Sequence, residues 1–334
     1  MNYLMCSVGR RGELMKFFRE SMEPGSRLIA TDNSPYAPAL YYADKQYIVP
    51  RIDDPGYMDL LLQICEKEKI HAVTTFIDPE IMILAENRDR FAALGVEVLA
   101  PYTETAELCF DKYEMFKFLK RHGIRTPLTF GTCGEALSAV KRGEVSFPLF
   151  VKPRRGSGSV GARKAENEEA LRAAFDLDPS LIAQELMTGE GCFDLDADIY
   201  VDTKSHLPVS IFAKRKLSTT IGGANKTISF KDEKLFAFVR EALKPFRFNG
   251  PIDADFFYKN GEYYLSEVNP RFGGAYLHAF GADVNFIKLI ENNLRGHENL
   301  PQIGDYEENI VMMMYDSVVI ARDTGDTVLE VMRS

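Results

Sequence analysis

The chain has 334 residues, of which 46% are hydrophobic, and a formal net charge of −9. This length predicts two or three domains with sizeable cores. The negative charge disfavours nucleic acid as a partner, and no apolar run approaches the ~20 residues that a membrane helix requires. The 5 cysteines are scattered without a Cys-x-x-Cys pair, which argues against a disulfide framework. We therefore expect a cytoplasmic protein that acts on small molecules rather than on nucleic acid or membrane.

Strand and helix patterns alternate in the first hundred residues. Strands are predicted at 2–8, 27–32 and 71–77, and helices at 12–22 and 57–69. Such alternation is typical of a parallel α/β sheet. We therefore assign residues 1–102 to an N-terminal domain with a Rossmann-like parallel sheet.

The first strand is followed by a glycine-containing turn. Gly9, Gly12 and Asp32 lack the glycine spacing of a dinucleotide-binding fingerprint. Two interpretations remain open. Gly9 only makes a strand-to-helix turn, or Arg10 or Arg11, at a helix N-terminus, helps to bind an anionic substrate.

After a boundary near residues 100–103, residues 105–123 read as one amphipathic helix that Gly123 ends. A small lobe is predicted from about 125 to 187, with strands at 126–132 and 148–152 and a helix at 167–176. Residues 103–187 thus form a linking helix and a small lid lobe. Residues 188–334 form a larger C-terminal lobe, with a helix at 283–295.

A glycine-rich loop follows the strand that ends at Lys152. It contains three glycines and two serines: Gly156, Ser157, Gly158, Ser159 and Gly161. Glycine lets backbone N–H groups approach phosphate oxygens, and the serine hydroxyls add donors. Because the lysine precedes the glycines, the pattern is not a P-loop. The loop is either a phosphate cradle or a flexible hairpin connection.

An apolar strand reaches Glu185 and Met187 and breaks at Thr188 and Gly189. The break exposes backbone donors and acceptors beside apolar side chains, as adenine binding requires. Further on, Lys214 and Lys216 should share one strand face, with Arg215 on the other. This basic strand either meets an anion or is merely solvated. His278 either meets substrate or packs as a structural histidine.

The segment from Tyr263 to Gly274 carries the strongest signal. Glu267, Asn269 and Arg271 alternate, so they should point in one direction from an extended strand. The Asn-Gly turn between residues 258 and 262 predicts a hairpin that brings Asp255 beside Glu267. The resulting oxygen cluster is of the type that Mg²⁺ prefers when it carries phosphates. The alternative is a solvated surface hairpin.

Five signals now stand in order along the chain. They are Asp111-Lys112 at a helix start, the Lys152 strand with its glycine loop, the hinge at 184–187, Asp255, and the Glu267–Arg271 motif. This order resembles the ATP-grasp superfamily, particularly the branch of carbamoyl-phosphate synthase large chains, biotin carboxylases and amino-acid ligases. The resemblance spans roughly residues 100–290. It implies an α/β protein with an ATP-grasp fold after its N-terminal Rossmann-like domain.

The resemblance also implies roles for individual residues. Lys112 and Lys152 would contact nucleotide phosphates, and the loop Gly156–Gly161 would close over them. The backbone of Glu185 and Met187 would hold adenine, and the basic strand with Arg215 would lie near the γ-phosphate or the acceptor. Asp255, Glu267 and Asn269 would coordinate one or two Mg²⁺ ions. Arg271, with Lys152, would act in catalysis by stabilising charge on the transferred phosphoryl group.

Two departures from the family pattern affect these assignments. The family commonly has Gly-x-Glu after the hinge, with the glutamate on ribose, whereas here Glu190 stands between Gly189 and Gly191. Either Glu190 binds the ribose in place of the family glutamate through a shifted register, or Asp194 or Asp196 binds it. At the position of Asp255 a longer glutamate is frequent, so the metal is expected to shift or to bind through a water.

The resemblance predicts an ATP-dependent, ADP-forming ligase that activates a carboxylate as an acyl-phosphate for attack by an amine or a similar nucleophile. Its partners would be these small molecules, and a homodimer is compatible with the pattern. One alternative is phosphorylation of bicarbonate, as in carbamoyl-phosphate synthases. Another is an ATP-binding regulatory protein without turnover, which the full set of acidic and basic site residues disfavours.

Overall fold

The computed structural model describes residues 1–156, 161–220 and 223–333. The chain is an α/β protein in which a parallel sheet is followed by a small and then a large, mainly antiparallel sheet. No described helix combines the length and the apolar character that would be needed to cross a membrane.

The N-terminal sheet is entirely parallel, with strand order β3-β2-β1-β4-β5. Its elements are β1 Asn2–Cys6, α1 Gly12–Ser21, β2 Arg27–Asp32, a 3₁₀ helix Pro38–Tyr42, β3 Lys45–Ile48, α2 Tyr57–Glu68, β4 Ala72–Thr75, α3 Asp78–Glu86, α4 Arg88–Ala92 and β5 Glu97–Val98. The predicted strands and helices of this segment are confirmed. Strand β3 was not predicted, because its Lys-Gln-Tyr-Ile sequence lacks the continuous apolar character of a buried strand.

Two helices, rather than one, connect this sheet to the next. They are α5 Thr103–Phe110 and α6 Lys112–Arg121. The prediction of a single helix over 105–123 is therefore wrong, whereas the helix start at Asp111-Lys112 is confirmed. Asp111 is extended, and its side chain accepts hydrogen bonds from the backbone N–H groups of Tyr113 and Glu114. This is N-cap geometry, so Asp111 ends one helix and starts another.

The small sheet has the order β6-β9-β7-β8 and is antiparallel. Its elements are β6 Thr129–Phe130, α7 Cys133–Lys141, β7 Leu149–Pro153, β8 Arg163–Ala165, α8 Glu168–Leu177 and β9 Leu181–Glu185. Leu149 and Val151 of β7 pack with Leu171 of α8 in a separate apolar cluster. Lys152 alternates with these residues and therefore lies on the other face of the sheet.

The large sheet has the order β14-β13-β10-β11-β12-β16, with β15 beside β11. Its elements are β10 Phe193–Val201, β11 Pro208–Thr220, β12 Gly223–Ser229, α9 Glu233–Leu243, β13 Gly250–Lys259, β14 Glu262–Asn269, α10 Tyr276–Gly281, α11 Phe286–Leu294, β15 Gln302–Ile303 and β16 Val311–Met313. Strands β17 Ile320–Arg322 and β18 Glu330–Arg333 form a separate ribbon.

One continuous apolar cluster joins the N-terminal sheet to the large sheet. Tyr3 and Phe18 pack in it together with Phe272 and Tyr276. The rings of Phe18 and Phe272 meet edge to face with 6.0 Å between their centroids. Since Phe272 follows the Glu267–Arg271 motif directly, this packing holds the end of β14 against the N-terminal domain.

Candidate active site

The hairpin β13–β14 builds the centre of the candidate site. Asn260 and Gly261 both have positive φ, 53° and 80°, as a two-residue hairpin turn requires. Asp255 lies directly opposite Glu267, and Asn269 is two residues further along β14. Residues opposite one another on paired strands share a face. The hairpin therefore brings the three predicted metal-binding residues together.

The neighbouring strands extend this arrangement into two rows across the sheet. The first row consists of Lys214, Asp196, Asp255 and Glu267, and the second of Phe212, Asp198, Asp253 and Asn269. Carboxylates at such a density repel one another unless cations or a bound ligand compensate them.

Two lysines of β11 provide part of that compensation. Lys216 Nζ lies 2.5 Å from Asp255 Oδ1. Lys214 is fully buried and donates a hydrogen bond to Asp198. Burial alone would lower the pKa of Lys214, but the charges of Asp196 and Asp198 outweigh it and raise that pKa. The prediction that Lys214 and Lys216 share a face is confirmed.

Arg215 does not join this group, and its predicted contact with the nucleotide stays a prediction. It alternates with the two lysines, is exposed, and stacks over the ring of Phe193 at 5.3 Å. Its guanidinium therefore lies on the opposite face of the sheet from Asp255.

Two further lysines approach the hairpin from other elements. Lys112, the first residue of α6, has its Nζ 3.5 Å from Glu267 Oε1 and 2.5 Å from the carbonyl oxygen of Gly156. Burial lowers the pKa of Lys152, while the charge of Glu267 acts in the opposite direction. Lys112 thus contacts Glu267 from α6, and Lys152 of β7 lies within electrostatic range of the same carboxylate.

The residues that precede the glycine loop form ion pairs with Asp111, the residue between α5 and α6. Arg154 Nε lies 2.7 Å from Asp111 Oδ1, and Arg155 Nε lies 3.3 Å from Asp111 Oδ2. Burial would raise the pKa of Asp111, but the Arg154 bond and its other partners lower it overall. Gly156 and Gly161 both have positive φ, 109° and 77°. The predicted phosphate contacts Ser157, Gly158 and Ser159 lie outside the described residues.

The predicted adenine hinge follows β9. The Glu185 carboxylate lies 3.0 Å from Lys259 Nζ of β13, so the end of the small sheet is linked to the hairpin. Met187 is buried, whereas Glu190 is exposed. Asp196, the alternative to Glu190 for ribose, lies in the buried first row instead.

Arg271 is held by a residue that sequence reasoning missed. Its Nε lies 2.8 Å from Asp78 Oδ1, and its Nη1 lies 3.6 Å from Asp253 Oδ2. Burial would lower the pKa of Arg271, but Asp78 and Asp253 raise it. Asp78 is the first residue of α3 and lies three residues after the end of the parallel strand β4, a position where ligand sites of α/β sheets are common. This position after a parallel strand could have indicated Asp78 as a site residue from the sequence.

Three aspartates form a buried group beside the predicted metal site, also missed from sequence. The carboxylates of Asp196, Asp198 and Asp253 lie within 4.8 Å of one another. Burial raises the pKa of all three, and that of Asp198 rises to about 6. The sequence could have indicated this group, because aspartates are spaced two residues apart in β10 and again in β13. Residues two apart in a strand lie on the same face.

Two residues with open interpretations are now located. Arg11 has a buried Nη1 without a hydrogen-bond partner among the described residues. Burial and the nearby charge of Arg271 lower the pKa of Arg11 to about 10. His278 is buried, contacts Thr227 through Nδ1 at 2.7 Å and meets the ring of Phe212 edge to face. Burial lowers the pKa of His278 to about 4, as suits a structural histidine.

A cleft runs between the N-terminal domain and the hairpin. It is lined by Asp78, Cys109, Gly156, Glu267 and Asn269, among others. These residues belong to α3, α5, the glycine loop and β14, so the cleft lies where three parts of the chain meet. It reaches two of the three predicted metal-binding residues.

Comparison with protein-family models gives two matches. Residues 3–99 match the PylC-like N-terminal domain, and residues 109–275 match the ATP-grasp domain. The second match ends six residues after Asn269, and it includes every predicted nucleotide and metal contact.

Two curated relatives are similar over most of this chain. A pyruvate carboxylase subunit of Methanothermobacter thermautotrophicus is 23% identical over 295 residues, covering 79% of this chain and 58% of the relative. D-alanine–D-alanine ligase of Campylobacter concisus is 25% identical over 222 residues, covering 61% of this chain and 62% of the relative. The chain thus spans about three fifths of the length of these relatives.

Two solved structures share the fold. N5-carboxyaminoimidazole synthetase of Staphylococcus aureus has a TM-score of 0.72 at 18% identity, with 93% of this chain and 81% of that chain covered. The biotin carboxylase domain of Hydrogenobacter thermophilus 2-oxoglutarate carboxylase, a dimer crystallised with MgADP and bicarbonate, has a TM-score of 0.71 at 16% identity, with 92% and 73% covered.

Proposed function

Because the chain belongs to the ATP-grasp family, we propose that it is an ATP-dependent ligase that joins a carboxylate to an amine or a similar nucleophile. The γ-phosphoryl group of ATP passes to the carboxylate, and the nucleophile then attacks the acyl carbon and releases inorganic phosphate. The observation that carries this proposal is the contact of Lys112 with Glu267, which lies opposite Asp255 and lines the cleft between the N-terminal domain and the hairpin.

The residues of the site are suited to charge neutralisation and positioning. Phosphoryl transfer requires little covalent chemistry from the protein, so a site of lysine, arginine and carboxylate side chains is sufficient. Lys112 and Lys152 would contact the phosphates, and the backbone of Glu185 and Met187 would hold adenine. Arg271 would stabilise charge on the transferred group.

The donor set suits magnesium. Asp255 and Glu267 supply carboxylate oxygens, and Asn269 Nδ2 lies 3.4 Å from Asp253 Oδ2, which leaves its amide oxygen available. An all-oxygen set of this kind is what Mg²⁺ prefers. When bound, the ion would neutralise phosphate charge. Lys216 and Lys112, now close to Asp255 and Glu267, would turn towards the phosphates.

The test is a screen for ADP release from Mg-ATP with pooled carboxylates and amines, followed by mass detection of the conjugate. ADP release that depends on both pools, with a conjugate mass, is the expected result. ATP binding without turnover in any pool would contradict the proposal and favour a regulatory ATP-binding protein.

Bicarbonate is a second candidate for the phosphorylated carboxylate. Its support is the similarity to a biotin carboxylase domain crystallised with bicarbonate and to a pyruvate carboxylase subunit. ADP release that depends on bicarbonate alone, without an organic conjugate, would favour it over the leading proposal.

A further inference from the structure

A lysine at the tip of the β13–β14 hairpin contacts the end of the small sheet. Lys259 is the last residue of β13, and its Nζ lies 3.0 Å from the Oε1 atom of Glu185, the last residue of β9. Both side chains are 27% exposed, so water screens this ion pair only in part. The pair joins residues 74 positions apart and connects the large sheet to the small one.

Glu185 belongs to the hinge at 184–187, whose backbone is proposed to hold adenine. Its backbone N–H donates to the carbonyl oxygen of Leu128 at 2.7 Å. After Glu185 the chain leaves the strand, and Met187 is buried whereas Thr188 is exposed. A segment beyond a strand lacks the ladder of hydrogen bonds that fixes strand residues, so its position depends more on side-chain contacts.

A cavity of about 620 Å³ lies on one side of the hinge. It is lined by the loop before β7, by the hinge and by the hairpin tip, including Val145, Phe147 and Leu186. Because side chains do not fill this space, apolar packing does not hold the hinge from that side. Glu185 and Lys259 both line the cavity, and their ion pair holds the hinge across it.

The strand that carries Lys259 also carries Asp255 of the proposed metal site. The two residues are four positions apart in β13, so they lie on the same face. The pairing of β13 with β10 has no register shift from Asp255 to Tyr258. At a rise of about 3.3 Å per residue, the two Cα atoms are about 13 Å apart. One regular strand therefore sets the distance between the metal site and the hinge.

We propose that Lys259 is a positioning residue for the nucleotide base. Through Glu185 it holds the hinge at the distance from the metal site that ATP requires when its phosphates bind the metal. Lys259 itself does not touch the nucleotide. This inference rests on the proposed function, because it assumes that adenine binds at the hinge. Its consequence is that recognition of the base depends on Lys259, whereas recognition of the phosphates does not.

Binding of Mg-ATP and of magnesium tripolyphosphate, measured by calorimetry, separates the two kinds of recognition. Tripolyphosphate presents phosphates to Lys112, Lys152 and the metal residues but has no base. Lys259→Met removes the charge and keeps most of the aliphatic stem. We expect the Kd for ATP to rise by about 3- to 10-fold, the scale of a partly buried ion pair, and the Kd for tripolyphosphate to stay within about twofold.

Three further variants complete the test. Lys259→Arg keeps the cation and should bind ATP like the unmodified protein. Glu185→Gln removes the charge of the other member and should reproduce Lys259→Met. Lys234→Met is the matched control, since Lys234 forms a 3.1 Å ion pair with Glu262 of the same hairpin, and it should leave both affinities unchanged. In the ligase assay, Lys259→Met should raise KM for ATP without lowering kcat at saturating ATP.

An unchanged Kd for ATP in both Lys259→Met and Glu185→Gln would overturn the inference. An equal loss of affinity for ATP and for tripolyphosphate would also overturn it, because the ion pair would then only hold the two sheets together. If the unmodified protein binds tripolyphosphate too weakly to measure, GTP replaces it. The preference for ATP over GTP should then shrink in Lys259→Met, and an unchanged preference overturns the inference.

The same experiments distinguish failure of this inference from failure of the proposed function. Conjugate formation together with an unchanged Kd for ATP in the variants would retain the ligase and overturn the role of Lys259. ATP binding that weakens in Lys259→Met, in a protein that shows no turnover with any substrate pool, would support the role of Lys259 and contradict the ligase. No binding of ATP by the unmodified protein would overturn both.

Discussion

Glu267 is the residue on which the proposed chemistry depends most directly. It lies opposite Asp255 and 3.5 Å from Lys112. Glu267→Gln keeps the shape of the side chain but removes the carboxylate, so magnesium and phosphate charge would no longer be balanced. We expect Mg-ATP turnover to fall by about 100-fold or more, on the scale of losing one key charge-stabilising group, with an unchanged circular dichroism spectrum.

Glu262 supplies the matched control. It is on the same strand, but its ion pairs with Arg125 and Lys234 are at the surface. Such pairs contribute little, and Glu262→Gln should therefore retain full activity. Normal turnover in Glu267→Gln would refute the metal assignment.

Asp202 illustrates a buried acid with a structural role. Burial would raise its pKa, but hydrogen bonds from Asn293 and from the backbone N–H groups of Ser205 and Asn299 lower it to about 2. A depressed folded-state pKa contributes stability above the unfolded-state pKa, and this is lost as the pH falls through the folded-state value. The contribution is about 2 kcal/mol at pH 7, and roughly half of it is lost by pH 3.

Urea unfolding of the unmodified protein and of Asp202→Asn at both pH values measures this contribution. The difference in unfolding free energy between the two proteins should shrink by about 1 kcal/mol from pH 7 to pH 3. Comparing the two proteins cancels the titration of the other carboxylates. A difference that stays constant, or grows in acid, would contradict the pKa of Asp202.

At the scale of elements, Asp111 joins a helix start to the glycine loop. It caps α6 and pairs with Arg154 and Arg155. Asp111→Ala removes both contacts and should lower the unfolding free energy by about 1–2 kcal/mol through the lost cap alone. Asp111→Asn keeps a capping oxygen, so it should be the more stable variant in chemical unfolding. Equal stability of the two variants would show that the cap contributes nothing.

The elements that could be predicted are those whose signals are local. The hairpin followed from an Asn-Gly turn between alternating strands, and helix α8 from its periodicity after Asn167. Apolar periodicity continues across Asp111 from residue 105 to 123 and predicted one helix, because periodicity alone does not report a cap; the break was indicated by the Asp111-Lys112 helix start instead. The contact of Asp78 with Arg271 joins residues 193 positions apart. Only the packing of the N-terminal domain on the large sheet brings them together.

Some residues of the candidate site could likewise be predicted from local signals, and others could not. Strand alternation is enough to place Asp255, Glu267 and Asn269 on one face. The buried group of Asp196, Asp198 and Asp253 also depends on β10 pairing with β13 in a register that aligns Asp198 with Asp253. Strand order and register between distant strands arise from the whole core, so a single sequence did not reveal them. The same alternation correctly placed Lys214 and Lys216 on one face and Arg215 on the other.

At the scale of the whole molecule, nucleotide should draw the small lobe onto the hairpin. Lys112 and Lys152 approach Glu267 from α6 and β7, and ATP phosphates would lie between these groups. We expect hydrogen exchange in the loop from Gly156 to Gly161 and in β7 to slow when Mg-ATP binds. The protection should be lost in Lys152→Ala, because closure of the small lobe is expected to depend on the attraction between Lys152 and the phosphates. Equal exchange with and without nucleotide would contradict closure.

The bond between Asp78 and Arg271 means that the boundary of the ATP-grasp match is not a boundary of the site. Asp78 lies in the segment that matches a different family, yet it is the carboxylate closest to the arginine of the Glu267–Arg271 motif. A chimera that exchanged residues 1–102 for those of a relative would therefore also exchange a component of the proposed reaction centre. Evolution by recombination at this junction would be constrained in the same way, since an N-terminal domain lacking an acid at the start of α3 would remove the shorter of the two ion pairs that the buried Arg271 guanidinium makes with Asp78 and Asp253.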